Sequence, residues 1–491
     1  MSRESATRPG LVLAVCCLSL LIVGVDNTIV TIALPSIRAD LHTSFAAAQW
    51  TVDAYQLVLG ALLLTAGATA DRWGRRRTLQ AGLAVFTVTS LLCGVAPTAG
   101  WLIAFRVAQA VGASMMNPVA MAIVAQVHPD PGKRAKAFGV WSGVYGLSMA
   151  IGPVLGGYLV DGAGWRSVFW VDVPVGIAAI ALCARFVPES RAPRPRAADP
   201  AGQAMVVVLL LALTYAIIEG HALGWGSAAV VGLLAVAAGT AAVLVRWERR
   251  RDEPLIDPRF FASAPFSGGV VMALVGMAAA GGYLWVMTFY LQDARGMTPS
   301  AAGTFLLPLA LTVLVVAPLS GRLAARRGPR IPLVLSGAGI ALGALTLTRL
   351  RPDTPGWLLT TSLVLLGLGF GMLNAPITAI SVEGMPPARS GVASAVASTG
   401  RQTGQALGVA VTGALIVPRL APGDVAGSLP AASHAGWWTI AAGGLVVTVV
   451  AAATTTRRAL RTTRRVAGLV DAEAGPVAAP DDRRAAPARD R

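Results

Sequence analysis

The sequence predicts an all-α membrane protein: fourteen transmembrane helices, arranged as two pseudo-symmetric six-helix bundles plus two inserted central helices. Three observations carry that expectation. Fourteen apolar runs are long enough to cross a bilayer, basic residues crowd the connections on one side only, and segments of the first half recur about 254 residues later. Of the 491 residues, 55% are hydrophobic and 13% are charged. Soluble chains carry about 25% charged residues, so an ordinary soluble enzyme is excluded. The formal charge of +16 would suggest nucleic acid on a soluble protein; in so apolar a chain it points to the anionic inner leaflet.

Taken in order, the runs cover roughly 11–36, 46–69, 78–96, 101–127, 137–160, 167–186, 204–221, 226–245, 267–292, 301–324, 331–349, 357–382, 390–416 and 436–456. The first is too long for a signal-peptide core, carries Asp26 and lacks a cleavage pattern, so it is a span. Residues 1–10 form a short N-terminal segment. The tail, 457–491, is rich in Arg, Ala, Pro and Asp and reads as disordered. Four cysteines, Cys16, Cys17, Cys93 and Cys183, all lie in apolar runs and read as small buried hydrophobes, with no metal spacing.

The basic residues fix an orientation. With the N-terminus inside, 32 of the 40 Lys and Arg fall on cytoplasmic segments and six on outer loops. Both termini are then cytoplasmic, in a multi-pass protein of the cell membrane. The remaining two, Arg106 and Arg401, sit within spans.

Duplication fixes the domains. The run from Gly67 to Arg76 recurs in part from Gly321 to Arg330, and Gly139, Val140, Gly152 and Gly156 recur as Gly391, Val392, Gly404 and Gly408. Thr43 before the second span is matched with Thr298 before the tenth. The halves are therefore 11–190 and 265–456, with two inserted helices in 204–245. In duplicated bundles the substrate path runs between the halves near the midplane.

Several residues are expensive to bury unless they work. Asp26 lies about ten residues from the outer end of its span, and a carboxylate there seeks a partner or a proton. Asp53 and Arg106 fall at similar depth. An acid–Arg–acid cluster of Asp26, Arg106 and Asp53 is the expected arrangement, because the arginine keeps its proton and holds one acid ionised. Plain readings stand beside this: Asp26 as a structural hydrogen-bonding acid, Asp53 as a wet residue at the outer rim. Tyr55, Gln109, Asn117, Tyr145, Asn374, Arg401, Gln402 and Gln405 are candidates to line the path or simply to cross-link helices.

Four stretches carry a family resemblance. The loop bearing Gly67, Asp71, Arg72, Gly74, Arg75 and Arg76 resembles the signature between spans 2 and 3 of the major facilitator superfamily. Gly152, Pro153, Gly156 and Gly157 resemble that superfamily's antiporter motif, with Ser148 where an earlier glycine is usual. The run from Val25 to Ile37 resembles the start of its fourteen-span drug:proton antiporter branch, and Arg106 lies in a stretch similar to the superfamily's span 4 motif, with Ala110 for glycine.

The resemblance implies a proton-coupled exporter of small amphipathic drugs or antibiotics working by alternating access, with Asp26 as the responsive carboxylate and the 67–76 loop as an inner gate. The partners implied are the drug, protons and the bilayer; no nucleic acid, cofactor, metal or oligomer is required. A proton-coupled carrier of a specific metabolite or nutrient, and a non-transporting membrane sensor, remain as alternatives. No Walker loop, zinc spacing or nucleophile elbow is present, so neither an enzyme nor an ATP-driven pump is expected.

Overall fold

A computed structural model describes residues 8–192, 199–251, 254–383, 385 and 390–463. The first seven residues, and the expected disordered tail from 464 onward, lie outside the described residues. Residues 457–463, assigned above to that tail, are helical, and Thr462 Oγ1 accepts a hydrogen bond from the Ala264 amide at 2.9 Å.

The first half comprises α1 (Pro9–Asp40), α2 (Phe45–Trp73), α3 (Arg75–Gly94), α4 (Ala99–Val127), α5 (Pro131–Ala163), α6 (Ser167–Trp170) and α7 (Asp172–Phe186). Next come α8 (Pro200–Leu223) and α9 (Ala228–Glu248). Beyond them lie α10 (Ala264–Phe289), a π-helical turn (Tyr290–Ala294), α11 (Pro299–Phe305), α12 (Leu307–Arg327), α13 (Arg330–Leu345), α14 (Gly356–Val382), α15 (Ser390–Ile416), α16 (Val425–Ala432) and α17 (His434–Thr454).

Among the described residues, eleven helical segments are long and apolar enough to cross a membrane. Three helices that fall on expected spans do not reach that standard. Helix α13 has 16 residues, α3 opens on three arginines, and α15 carries Arg401 and two glutamines. Two expected spans are broken, at Val171 and at Leu306, and α16 precedes the last span unannounced.

Side-chain caps start several of the helices. Ser44 Oγ accepts from the Ala47 amide at 3.1 Å, and Thr298 Oγ1 from the Ala301 amide at 3.3 Å. The cap that corresponds to Thr298 is therefore Ser44 rather than Thr43, which restores the 254-residue offset of Gly67 and Gly321.

In the first half α1 packs on α5 and α4, α2 on α4, and α3 on α4 and α7. In the second, α10 packs on α15, α14 and α17, while α14 also meets α12 and α13. The two groups touch along α2–α15 and along α5 with α11 and α12; α8 leans on both α2 and α15 and carries α9. One apolar cluster crosses this seam, joining Ile29, Ile37 and Phe45 to Trp285, Phe289 and Tyr290. That is the end of the molecule bearing Arg38. Toward the opposite end, bearing Arg75, the main clusters belong to one half or the other. The seam is thus zipped at the Arg38 end.

Candidate functional site

Small residues set how closely α1 and α5 approach. A Cβ on Gly152 would meet Thr28 Oγ1, and one on Gly156 would come within 2.6 Å of Ile32 Cγ2. Ser148, which stands where a glycine is usual, packs against Gly24. The small residue has moved to the facing helix and the close contact survives. The other side of the same stretch faces the second half: a Cβ on Gly157 would meet Pro299 and Ser300, and one on Gly303 would meet Pro153. Pro153 also leaves the Met149 carbonyl without its helical donor.

This packing encloses the charges. Arg106 is 1% exposed and Asp26 is fully buried. Arg106 Nη1 donates to both carboxylate oxygens of Asp26 at 2.8 Å and to Gln109 Oε1 at 2.8 Å, and its Nε donates to the Thr51 carbonyl at 3.2 Å. Gln109 Nε2 donates back to Asp26 Oδ1 at 3.4 Å. The Tyr55 ring lies 4.0 Å from the guanidinium carbon, a cation–π contact in a dry site. Helices α1, α2 and α4 are joined by this one arginine.

The expected acid–Arg–acid cluster forms, but with a different second acid. Asp172, at the start of α7, is 3% exposed and within electrostatic reach of both Asp26 and Arg106. Its Oδ2 accepts from Ser90 Oγ at 3.1 Å; Ser90 also donates to the Phe169 carbonyl, and the Phe169 ring stands 5.8 Å from Arg106. Asp53 lies elsewhere. It is fully buried rather than wet, and neither carboxylate oxygen has a hydrogen-bond partner. It shares the face of α2 with Gln49, whose Nε2 donates to the Val409 carbonyl at 2.9 Å, and with Gly60, which packs on Gln402 of α15. Asp53 therefore belongs to the seam between the halves. Sequence reasoning passed over Asp172, although an acid in the apolar run VFWVDVPVG gives the same signal as Asp26.

The loop after α2 is tied within its own half. Asp71 Oδ1 pairs with Arg75 Nη2 at 3.1 Å, and Arg75 Nη1 donates to Gln126 Oε1 at 3.0 Å. Gly74 has φ +118°, a conformation that favours glycine. A Cβ there would also come within 2.6 Å of Glu189 Oε1, which accepts from the Arg76 amide. Glu189 was not foreseen. A Cβ on Gly67 would meet nothing within 4 Å, so no neighbouring helix packs closely on this glycine in this conformation. Arg72 is exposed at the end of α2.

In the second half, Arg401 Nη1 donates to Thr378 Oγ1 at 3.4 Å and Nη2 to Ser398 Oγ at 2.5 Å. Tyr145 of α5 lies within its electrostatic reach. Among the remaining lining candidates, Gln405 packs on Gly281 of α10, Asn374 receives the Thr378 hydroxyl on its carbonyl, and the side-chain oxygen of Asn117 is buried without a partner. Two surface grooves, one bordered by His221 and Arg419 and one by Tyr158 and Thr304, touch none of these residues. No group of three or more metal-binding side chains occurs among the described residues.

Comparison with known proteins follows the same lines. The sequence model of the Major Facilitator Superfamily matches residues 16–409. A tetracenomycin C resistance and export protein of Streptomyces glaucescens is 38% identical over 420 residues, covering 85% of this chain and 77% of that one. A puromycin resistance protein of Streptomyces alboniger is 36% identical, covering 80% and 78%; a multidrug resistance protein of Mycobacterium tuberculosis is 34% identical, covering 81% and 74%. Among solved structures, a peptide transporter in complex with sulfate superposes with a TM-score of 0.67 at 15% identity, covering 94% of this chain and 97% of that one. A D-xylose–proton symporter superposes at 0.64 and 15%, covering 91% and 97%. At such identities the structural likeness speaks for the fold alone.

Proposed function

The chain belongs to the major facilitator superfamily, and on that premise we propose that it is a proton-coupled exporter of small amphipathic drugs or antibiotics. The relatives named for resistance and export support the direction and the substrate class. The buried Asp26–Arg106 pair carries the coupling. An exporter needs a group whose charge changes while solvent is excluded, and Asp26 is fully buried and held by one permanent cation.

We count fourteen spans by adding α3, α13 and α15 to the eleven apolar segments, with α8 and α9 as the inserted pair. The Arg75 end is read as cytoplasmic from the excess of basic residues there. The conformation is then closed on the outside, where the apolar seam joins the halves, as in a carrier awaiting its cytoplasmic substrate. Substrate enters between the halves, which rock about the α2–α15 and α5–α11 seams, and the Gly67–Arg76 loop closes the inner face. Protonation from outside releases Asp26 from Arg106 and discharges the substrate; return of the proton inside resets the pair. Asp172 is the second acid competing for Arg106. One proton entering at about 150 mV provides about 3.5 kcal/mol, a few-hundred-fold gradient of a neutral substrate.

The test is transport in proteoliposomes with an imposed proton gradient, using a compound to which the gene confers resistance. Asp26→Asn should insert normally and lose proton-driven accumulation. Wild-type accumulation by that variant would remove Asp26 from the coupling.

A further inference from the structure

Among the described residues, the second half holds one charged side chain in the middle turns of its helices, and no described acid neutralises it. Arg401 lies near the centre of α15, makes no ion pair among the described residues, and donates only to the hydroxyls of Thr378 and Ser398. Asp26, Asp53, Arg106 and Asp172 all belong to the first half; Asp293 and Glu383 lie at helix ends. Arginine keeps its proton, so a permanent positive charge is held at mid-membrane by two neutral oxygens. An unpaired charge so placed is costly and by default functional.

Its surroundings point to a path rather than to a core. Asn374, Thr378, Ser398, Arg401 and Tyr145 are all half-buried, although none sits at a helix end. They come from α14, α15 and, across the seam, α5. Next to Arg401, Gln402 packs on Gly60 of α2. Arg401 and Gln402 thus sit on the stretch of α15 that borders the first half, and Tyr145 of α5 lies within electrostatic reach of the guanidinium.

We propose that Arg401 binds the acidic group of the transported molecule, so that the substrates include aromatic compounds bearing a carboxylate or phenolate, with the Tyr145 ring facing the aromatic part. This rests on the exporter reading above. The guanidinium offers paired N–H donors to a carboxylate, a geometry that a lysine matches in charge only.

Equilibrium binding to the purified full-length protein in lipid nanodiscs tests it. The probes are fluorescein, which is anionic at neutral pH, and a cationic rhodamine of the same xanthene skeleton. Fluorescein should bind the wild type, and Arg401→Gln should weaken it by at least about tenfold more than the rhodamine. Ser398→Glu, which places a carboxylate beside the intact arginine, should exclude fluorescein to a similar extent, and it serves should Arg401→Gln fail to insert. Fluorescein binding no stronger than to empty discs overturns the proposal, as does equal weakening of both probes. A protein that binds fluorescein but moves nothing under a proton gradient would overturn the exporter reading and leave this site standing.

Discussion

Arg38 and Asp293 meet across the two halves, with Arg38 Nη2 3.1 Å from Asp293 Oδ2. The contact depends on a local irregularity. Helix α10 ends in a π-turn, which carries both Asp293 and Gln292 to α1, where Gln292 Nε2 donates to the Ile32 carbonyl at 2.8 Å. Asp161 adds a third link, accepting from the Ser300 amide at 2.9 Å. The ion pair is partly exposed, so its coupling is about 1 kcal/mol or less. Arg38→Ala should therefore shift the balance toward opening at this end by up to about fivefold. The exchange Arg38→Asp with Asp293→Arg should restore it. Spin-label distances between the 41–44 and 295–298 connections report the shift; an unchanged distribution in Arg38→Ala would show that the apolar seam alone holds this end.

Arg106 is the tie between three helices, and its removal should cost more than loss of function. Arg106→Ala leaves Asp26 buried without a cation, a penalty of about 3–5 kcal/mol unless the acid takes up a proton. The double variant Arg106→Ala with Asp26→Asn should recover most of that stability and none of the proton coupling. Thermal unfolding in detergent separates the two; a double variant no more stable than Arg106→Ala would mean that the lost contacts to Thr51 and Gln109 dominate.

The sequence shows which charges are out of place but not which way they face. Asp26 and Arg106 are legible because a lone charge in an apolar run has few uses. Depth along a span placed Asp53 beside them, yet depth says nothing of rotation, and the turn of α2 points Asp53 at α15 while α7 supplies Asp172. The breaks at Val171 and Leu306 leave hydropathy unchanged and so leave no trace. Ser148 looks like a weakened motif until Gly24 is seen opposite. Glu189 and Arg76 are far apart in sequence and meet only through the fold.

Two glycines of the motifs should behave differently. A Cβ on Gly152 has no room beside Thr28, so Gly152→Ala should destabilise the protein by about 1–3 kcal/mol through overpacking. Gly67 has open space around it, and Gly67→Ala should keep or slightly raise stability, by up to about 1 kcal/mol from helix propensity. Chemical denaturation followed by tryptophan fluorescence compares them. Should Gly67→Ala lose transport at full stability, the close approach that requires this glycine belongs to the opposite conformation of the cycle.

Asp53 gives the sharpest contrast with Asp26. Both are fully buried, but Asp26 has an arginine and Asp53 has neither a cation nor a donor. A site of that kind cannot hold a negative charge cheaply, so Asp53→Asn, which keeps the shape and removes the charge, should leave the closed α2–α15 seam and the stability within about 1 kcal/mol of wild type. What it should change is response to pH. In the wild type, ionisation of Asp53 has to be accompanied by parting of the seam, so alkaline conditions should favour separation of α2 from α15; in the variant that dependence should vanish. Accessibility of a cysteine placed at Ala406 to a membrane-permeant thiol reagent, measured across pH in a background lacking the four native cysteines, reads the separation directly. Equal pH dependence in both proteins would assign the response to Asp26 and Asp172 instead.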